Sequence, residues 1–179
     1  MTITIDIREQ VRQRANFAGE FCGVTEIDTG GQLTMDHFQP ITQQGSDRLE
    51  NLVYCCIRCN QYKLNYWPIH ANDPVLWNPR HDPHSKHFLV LKDGTLHPLT
   101  PTGAFTLKRL RLNRPPLIAH RLQKQQRTEE IGLLTRYQNT IELLENLHIQ
   151  LSELIGEQHK LLKEQKRLLA LWFENQNKY

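Results

Sequence analysis

The spacing of the hydrophobic residues predicts two different kinds of structure along this chain. Residues 32–38, QLTMDHF, alternate apolar and polar side chains after the tight turn expected at Gly30-Gly31, and this period of two predicts a strand. Residues 52–56, LVYCC, predict a second strand. The following IRCNQYKLN contains no helix breaker, so we expect a helix to begin near Ile57. The predicted order is therefore strand, loop, strand, helix.

A spacing of seven residues runs through the C-terminal part of the chain from about Thr128. The apolar residues fall on three adjacent rows, which make a stripe broader than a two-row coiled-coil seam. A helix of this extent is too long to be covered by so small a domain, so it needs a partner helix from another subunit or from a fold-back near Gly156. The rows are Leu133, Leu147, Leu154, Leu161 and Leu168; Leu134, Ile141, Ile155, Leu162 and Leu169; and Tyr137, Leu144, Leu151 and Trp172.

Charge is unevenly distributed along this tail, which bears on the choice of partner. Residues 129–157 hold six Glu against one Arg, whereas residues 158–179 hold Lys160, Lys163, Lys166, Arg167 and Lys178 against Glu164 and Glu174. An antiparallel pair of helices places the acidic half against the basic half. We favour a homodimer over a hairpin, because one Gly inside a periodic helix costs only about 1 kcal/mol and no Pro or Asn accompanies Gly156.

Residues 71–127, between these two parts, are rich in proline and predict an irregular extension packed on the first part. Within it, FLVLKDGTLHPL at residues 88–99 predicts a hairpin around Asp93-Gly94. No Asp or Glu occurs from Gly94 to Thr128, so the basic residues there form a local positive field that could gather phosphates. The alternative is a solvated helix face. These basic residues are Lys108, Arg109, Arg111, Arg114, Arg121, Lys124 and Arg127.

Composition narrows the class of protein. The net charge of +3 alone says little about partners, and no apolar run approaches the roughly 18 residues of a membrane span. The first residues lack the order of a secretory signal, so we expect no membrane association and a cytoplasmic location. The four cysteines are Cys22, Cys55, Cys56 and Cys59, and the adjacent pair suits metal binding in a reducing compartment better than a disulfide framework.

The candidate chemistry is concentrated in residues 35–63, MDHFQPITQQGSDRLENLVYCCIRCNQYK. Taken singly, a His beside an Asp, or an Asn at a helix start, is most often structural. The ordered set is more informative, and it resembles the motif of the HNH nuclease family in the variant whose last H is an Asn. The resemblance covers about residues 5–121 and rests on Asp36-His37, Pro40, Glu50-Asn51-Leu52, Cys56, Cys59-Asn60 and Lys63.

The resemblance implies cleavage of DNA phosphodiester bonds with the help of a divalent ion. His37 is then the general base, and Asn51 orients His37 by accepting a hydrogen bond from its ring. Asp36 and Asn60 supply hard oxygen ligands to Mg²⁺, Mn²⁺ or another divalent ion. The residues expected to contact DNA are Lys63, Arg58, Arg109, Arg111 and Arg114.

The sequence departs from the family pattern at one position. Many HNH proteins carry a structural zinc on two C-x-x-C knuckles, and here Gly19 stands where the first cysteine is expected. Cys22, Cys56 and Cys59 could still hold Zn²⁺ with Cys55, a carboxylate or water as the fourth ligand, although structural zinc sites usually have four protein ligands. The alternative is a set of small buried thiols that pack the knuckle.

The sequence thus predicts an α+β fold in three parts. Residues 1–70 form a ββα-metal (His-Me finger) nuclease core, residues 71–127 a Pro-rich and basic extension, and residues 128–179 a long α-helical, coiled-coil-like oligomerisation tail. The predicted function is metal-dependent DNA hydrolysis with low sequence specificity, because no base-reading module is present in the sequence. The alternative is a non-catalytic nucleic-acid-binding or scaffolding protein on a decayed HNH fold. The absence of a Cys at Gly19 favours that alternative, and the complete set of Asp36, His37, Asn51 and Asn60 opposes it.

Overall fold

The computed structural model describes residues 3–176 and divides the chain into two units, Met1–Gln125 and Gln126–Tyr179. Lys178 of the predicted basic half lies outside the described residues. The first unit contains short helices and two small sheets, which agrees with the predicted α+β class. Its elements are α1 (Ile5–Arg14), α2 (Glu26–Thr29), β1 (Thr34–His37), β2 (Leu52–Cys55), α3 (Ile57–Lys63), α4 (His84–His87), β3 (Phe88–Val90), β4 (Leu96–Pro98) and α5 (Pro101–Arg109).

The first sheet is the antiparallel pair of β1 and β2, which is followed directly by α3. Thr34 is opposite Cys55 and His37 is opposite Leu52, so the predicted strand, loop, strand, helix order is confirmed. The loop between the strands contains two single-turn 3₁₀ helices, Ile41–Gln43 and Leu49–Asn51. This loop, rather than the sheet itself, supplies most of the polar groups around His37.

All four residues of β2 are buried, because the strand is covered on both faces. Leu52 and Tyr54 pack with Val11 of α1, while Val53 and Cys55 face the larger core. A side-chain period of two places alternate residues on opposite faces, so each face contributes to a different core. The larger core includes Trp77, and it also takes in residues up to Leu117. The division at residue 70 remains a prediction, since one hydrophobic core crosses it.

The second sheet is the hairpin predicted around Asp93-Gly94, formed by β3 and β4. Gly94 has a φ of +77°, a left-handed conformation that favours glycine, and a Cβ there would lie 2.8 Å from the carbonyl oxygen of Ile118. The turn is therefore fixed both by its backbone conformation and by a close neighbour. Arg121 is buried beside it and donates hydrogen bonds to the carbonyl oxygens of Gly94 and Leu112, so this member of the basic stretch serves the fold.

The last helix, α6, spans Pro115–Gln176. It begins earlier than the predicted Thr128, at two prolines, which the first turn of a helix tolerates because its N–H groups have no intrahelical partner. It continues through Gly156 without a break, so the fold-back alternative is wrong. No helix among the described residues is long and apolar enough to cross a membrane. In the second unit, the apolar rows of the tail are exposed in the single chain, from Leu133 to Trp172.

Candidate active site

His37 ends β1, and its ring is held by a residue of the following loop. Nε2 of His37 lies 2.7 Å from Oδ1 of Asp47, and both side chains are largely buried. Within the described residues Nδ1 has no hydrogen-bond partner. In the tautomer with the proton on Nε2, this N–H donates a hydrogen bond to the carboxylate of Asp47. Nδ1 then holds the lone pair of the ring and can accept a proton. The pair therefore has the arrangement of a general base with a carboxylate that orients it.

Asn51 is predicted to orient His37, but its side chain makes other contacts. Its Oδ1 accepts a hydrogen bond from the backbone N of Gln39 at 2.8 Å. Its Nδ2 donates to the carbonyl oxygens of Gln39 and Ser46, at 3.0 and 2.8 Å. Asn51 thus joins the two ends of the loop that carries Asp47. It acts on the geometry of the site through the backbone and not by contact with the His37 ring.

Gly45 allows this loop to close on itself. A Cβ at Gly45 would lie 1.8 Å from the carbonyl oxygen of Gln39, closer than any side chain permits. Its N–H donates to the carbonyl oxygen of Pro40 at 2.9 Å. Only glycine fits this approach, so the QQGSD sequence has a physical reason for its glycine two residues before Asp47.

Asp36 faces Lys63, the last residue of α3. Oδ2 of Asp36 is 3.0 Å from Nζ of Lys63, and Lys63 is fully buried. Nζ also donates to the carbonyl oxygen of His37 at 2.7 Å. Burial raises the pKa of Asp36, and the ammonium group of Lys63 opposes that rise. Lys63 is predicted to contact phosphate; its ammonium group is instead used inside the fold.

Asp36 and Asn60 are the candidate oxygen ligands for a divalent ion. Although Lys63 is close, Oδ2 of Asp36 is a buried atom without a well-directed hydrogen bond. Asn60 is a partly exposed residue of α3, and its side chain has no hydrogen-bond partner within the described part of the chain. A carboxylate and an amide oxygen are ligands that Mg²⁺ and Mn²⁺ accept, so these residues fit such an ion.

A second candidate metal site lies at the start of α3. The sulfur atoms of Cys22, Cys56 and Cys59 all lie within 4.8 Å of one another. Hydrogen bonding within the cluster raises the pKa of Cys22 and lowers that of Cys56, which favours one thiolate. Cys55, considered as a fourth ligand, is outside the cluster, and its thiol contacts Thr34.

The fourth corner of this cluster has no protein ligand among the described residues. A Cβ at Gly19 would lie 3.2 Å from Sγ of Cys22. A cysteine at this position would therefore approach the cluster from the side of Cys22. Arg114 lies beside the cluster, where its Nη2 donates to Sγ of Cys56 and of Cys59, at 3.4 Å each. The cluster can hold a metal through three sulfurs, with a positive charge next to two of them.

The predicted DNA-contacting arginines have different environments. The guanidinium groups of Arg111 and Arg114 lie 4.7 and 5.7 Å from the ring centroid of Tyr62, and that of Arg109 lies 4.9 Å from the ring centroid of Tyr66. Arg58 is an exposed residue of α3 that donates to Gln61. Arg111 and Arg58 are exposed, whereas Arg114 is engaged with the thiols.

A groove of about 500 Å³ opens beside the loop that carries Asp47. Phe38, Asn51 and Trp67 line it, together with Asn78 and His81 from the middle segment. Sequence reasoning missed Asp47, Gly45 and the aromatic lining. The only signal in the sequence was that Asp47 is an acidic residue between Pro40 and Glu50-Asn51-Leu52, within the stretch that resembles the HNH motif.

Comparison with known proteins agrees with this geometry. The family model of the HNH endonuclease matches residues 20–65, which include β1, β2, α3 and the loop between the strands. No significant match to the chain was found among curated proteins or among solved structures. Residues 20–65 of this chain are therefore similar to the HNH endonuclease domain.

Proposed function

We propose that this protein is a metal-dependent endonuclease that hydrolyses DNA phosphodiester bonds, with β1, β2 and α3 as a ββα-metal core. The observation that carries the proposal is the contact between His37 and Asp47, 2.7 Å from Nε2 to Oδ1, inside the residues that match the HNH family. Hydrolysis of a phosphodiester needs a base and a divalent ion, and here a histidine oriented by a carboxylate lies in the same strand as a candidate oxygen ligand, Asp36.

In the proposed reaction, Nδ1 of His37 removes a proton from the attacking water. The carboxylate of Asp47 accepts the hydrogen bond from Nε2, fixes the ring tautomer, and stabilises the imidazolium that forms. Lys63 donates to the backbone carbonyl of His37, so this residue is held at its backbone by Lys63 and at its ring by Asp47. Asp47 is therefore a positioning residue and His37 the catalytic residue.

Asp36 and Asn60 are proposed to hold Mg²⁺, Mn²⁺ or a similar ion, which would neutralise charge on the phosphate and stabilise the leaving oxygen. Ionised Asp36 contributes the only formal negative charge of this ligand set. The ammonium group of Lys63, 3.0 Å from Oδ2, limits that charge and so favours weak ion binding. Cleavage is expected to require millimolar rather than trace concentrations of the divalent ion.

DNA binding is assigned to basic residues close to α3, namely the exposed Arg58 and Arg111 and the partly exposed Arg109. Contacts to phosphates position DNA without reading its sequence, so we expect low sequence specificity. The three thiols are proposed to bind Zn²⁺ as a structural ion, with Arg114 beside them to offset the negative charge of the sulfurs. The tail helix is proposed to pair two chains into a homodimer.

The second candidate function is a non-catalytic nucleic-acid-binding or scaffolding protein. The observation that favours it is the ion pair of Asp36 with Lys63, because a lysine next to the ligand carboxylate could replace the divalent ion. The intact arrangement of His37 and Asp47 favours the nuclease, since a scaffold has no need for an oriented base.

Incubation of supercoiled and linear DNA with the purified protein tests both candidates. Cleavage is expected with Mg²⁺ or Mn²⁺ and none with EDTA. His37→Ala should lower the rate by about 10²–10⁴-fold while DNA binding stays close to wild type, because the substitution removes proton transfer and leaves the phosphate-binding side chains in place. His70→Ala, at an exposed histidine, is the matched control. DNA binding without cleavage under every ion tested would favour the scaffold.

A further inference from the structure

Leu64, directly after α3, has a backbone conformation that leucine rarely adopts. Its φ is 53° and its ψ is −149°, in a region that is essentially reserved for glycine. A branched side chain there clashes with its own backbone, so the conformation costs free energy in the folded state. Glycine would remove that cost. A leucine kept at this position needs a compensating contribution, from packing or from a function.

Packing within the chain does not supply the compensation. The Leu64 side chain is 64% exposed, so it buries little apolar area against the described residues. It lies in an open groove of about 510 Å³, which is also lined by Gln43, Tyr66, Trp67 and Arg109. An exposed leucine alone is ordinary; a leucine that is both exposed and strained is not.

The backbone of Leu64 is fastened to the candidate active site. Its N–H donates to the carbonyl oxygen of Asn60 at 2.9 Å. The preceding residue, Lys63, contacts Asp36 and the carbonyl of His37, and Arg109 donates to the carbonyl oxygen of Lys63 at 3.2 Å. The backbone at Leu64 is thus tied to residues of β1, α3 and α5, and a change in its conformation would disturb these contacts.

We propose that Leu64 is an apolar wedge that enters a base step of duplex DNA next to the scissile phosphate. The inference rests on the proposed DNA cleavage. Apolar side chains that insert between base pairs unstack one step and bend the duplex, which exposes the backbone and brings more protein surface into contact. The fixed position of Leu64 suits this role, because a wedge that is already held in place loses no conformational freedom on insertion.

The surroundings of Leu64 match duplex DNA better than a protein partner. The guanidinium group of Arg109 lies 4.9 Å from the ring centroid of Tyr66 and borders the same groove. Arginine supplies a phosphate contact, and the partly exposed rings of Tyr66 and Trp67 offer a surface for a displaced base. Asp73 also lines the groove, where its carboxylate accepts hydrogen bonds from the backbone N–H groups of Ile69 and His70. An apolar tip flanked by a cation and aromatic rings suits a bent duplex.

The test uses the full-length protein in EDTA, with end-labelled duplexes whose affinity and bend angle are measured by energy transfer. Leu64→Gly and Leu64→Ala should bind an intact duplex at least about tenfold more weakly and bend it less, because the unstacked step is no longer filled. Leu64→Met, which keeps an apolar side chain of similar volume, should stay near wild type. Ile57→Ala, at an exposed apolar residue on the same helix, is the matched control.

A duplex with a central mismatch separates the wedge from general surface contact. Base stacking at the mismatch is already disrupted, so the Leu64→Gly variant should bind the mismatched duplex with the same affinity as the wild-type protein does. Leu64→Gly should also melt at a higher temperature than wild type, since its backbone is relaxed. Equal weakening on intact and mismatched duplexes, or wild-type affinity of the Gly and Ala variants for the intact duplex, overturns the wedge. Wild-type protein that binds and cleaves no DNA overturns the proposed function itself.

Discussion

The carboxylate of Asp47 lies 2.7 Å from Nε2 of His37, although the two residues belong to different segments, the end of β1 and the loop before β2. This loop is closed by Gly45 and fastened by Asn51. The orientation of the candidate base therefore depends on a loop whose shape is fixed by its backbone, and not only on the sheet that carries His37.

Asp47→Asn should reduce the rate of cleavage by about 10²–10⁴-fold, with little change in DNA affinity. The amide keeps the size of the carboxylate but does not stabilise the imidazolium, and it can hold the ring in the wrong tautomer. Single-turnover cleavage and binding in EDTA separate the two effects. Glu50→Gln, which removes a neighbouring exposed carboxylate, is the control. Equal rates for Asp47→Asn and wild type would show that His37 needs no partner.

The strand, loop, strand, helix order could be predicted because apolar and polar residues alternate along β1 and because residues 52–56 are continuously apolar. The partner of His37 could not be predicted, because periodicity says nothing about which residue of the loop at 38–51 turns inward. The position of Asn51 in the motif suggests a contact with His37, and the structure gives Asn51 a backbone role. The burial of Lys63 was missed for a physical reason as well, since lysine is rarely buried without a partner and the motif assigns its partner, Asp36, to the metal.

Lys63→Met should destabilise the protein by about 3–5 kcal/mol, because it leaves the carboxylate of Asp36 without its counter-charge in a buried position. Urea unfolding of wild type and variant gives the value. The double variant Asp36→Asn with Lys63→Met should recover part of the stability, since no uncompensated charge remains. Additive effects of the two single variants would mean that the two residues act independently.

The ion pair of Asp36 and Lys63 also predicts how the rate of cleavage depends on pH. Burial raises the pKa of Asp36 and Lys63 opposes the rise, so the carboxylate is protonated at a higher pH than an exposed aspartate. To serve as the proposed ligand Asp36 must be ionised, so cleavage should fall when the pH drops through this raised pKa. Lys63→Met removes the opposing charge and should move the acidic limb of the pH–rate profile to higher pH. A limb that moves to lower pH, or stays unchanged, would contradict this coupling.

The thiol cluster predicts a gain of metal affinity by one substitution. Gly19→Cys adds a fourth thiol on the side facing Cys22, and its Cβ needs a shift of only a few tenths of an ångström. Closed four-thiolate sites are the usual form of structural zinc, so the variant should bind Zn²⁺ at least about tenfold more tightly than wild type. Competition with a chromophoric chelator measures both affinities. Gly31→Ala, at a position where a Cβ would meet nothing within 4 Å, should leave zinc binding unchanged.

The exposed arginines predict the salt dependence of DNA binding. Arg58→Gln and Arg111→Gln together should lower affinity and reduce the slope of log affinity against log salt by about 0.9 for each phosphate that the protein no longer neutralises. Arg114→Gln should instead lower zinc affinity, since its guanidinium donates to Cys56 and Cys59. Measuring DNA affinity from low to moderate salt, and zinc affinity separately, distinguishes these two roles of the arginines. A slope that Arg58→Gln and Arg111→Gln leave unchanged would identify this face as solvated surface.

The extent of α6 shows where helix prediction from the sequence has a limit. The heptad rows indicate the helix from Thr128 onwards, but the preceding prolines concealed its true start at Pro115. Proline is favourable at the first helical position, whereas elsewhere in a helix it causes a break, and the sequence alone does not distinguish the two cases. The absence of a turn at Gly156 could be predicted correctly, because no second turn residue accompanies that glycine.

The uninterrupted tail exposes its apolar rows in the single chain, so we expect a second chain as their partner, and the charges of the tail predict the orientation of that pair. Residues 126–176 form about 75 Å of helix at 1.5 Å per residue, with apolar residues such as Leu147 and Leu154 more than half exposed. We expect a dimer at micromolar concentration by light scattering. Leu147→Glu with Leu154→Glu should give a monomer, because two charges would be buried in the seam without partners. Asn139→Ala with Asn146→Ala, at uncharged polar residues outside the apolar rows, is the control.

Salt distinguishes an antiparallel from a parallel dimer. In an antiparallel pair, the acidic residues 129–157 of one chain lie against the basic Lys160, Lys163, Lys166 and Arg167 of the other, and each exposed ion pair contributes about 0.3–0.5 kcal/mol. Raising the salt concentration screens this attraction and should weaken the dimer. A parallel in-register pair sets like charges side by side, so screening would strengthen it. Sedimentation equilibrium at low and high salt therefore decides the orientation by the sign of the change, and a dissociation constant that falls with salt would rule out the antiparallel arrangement.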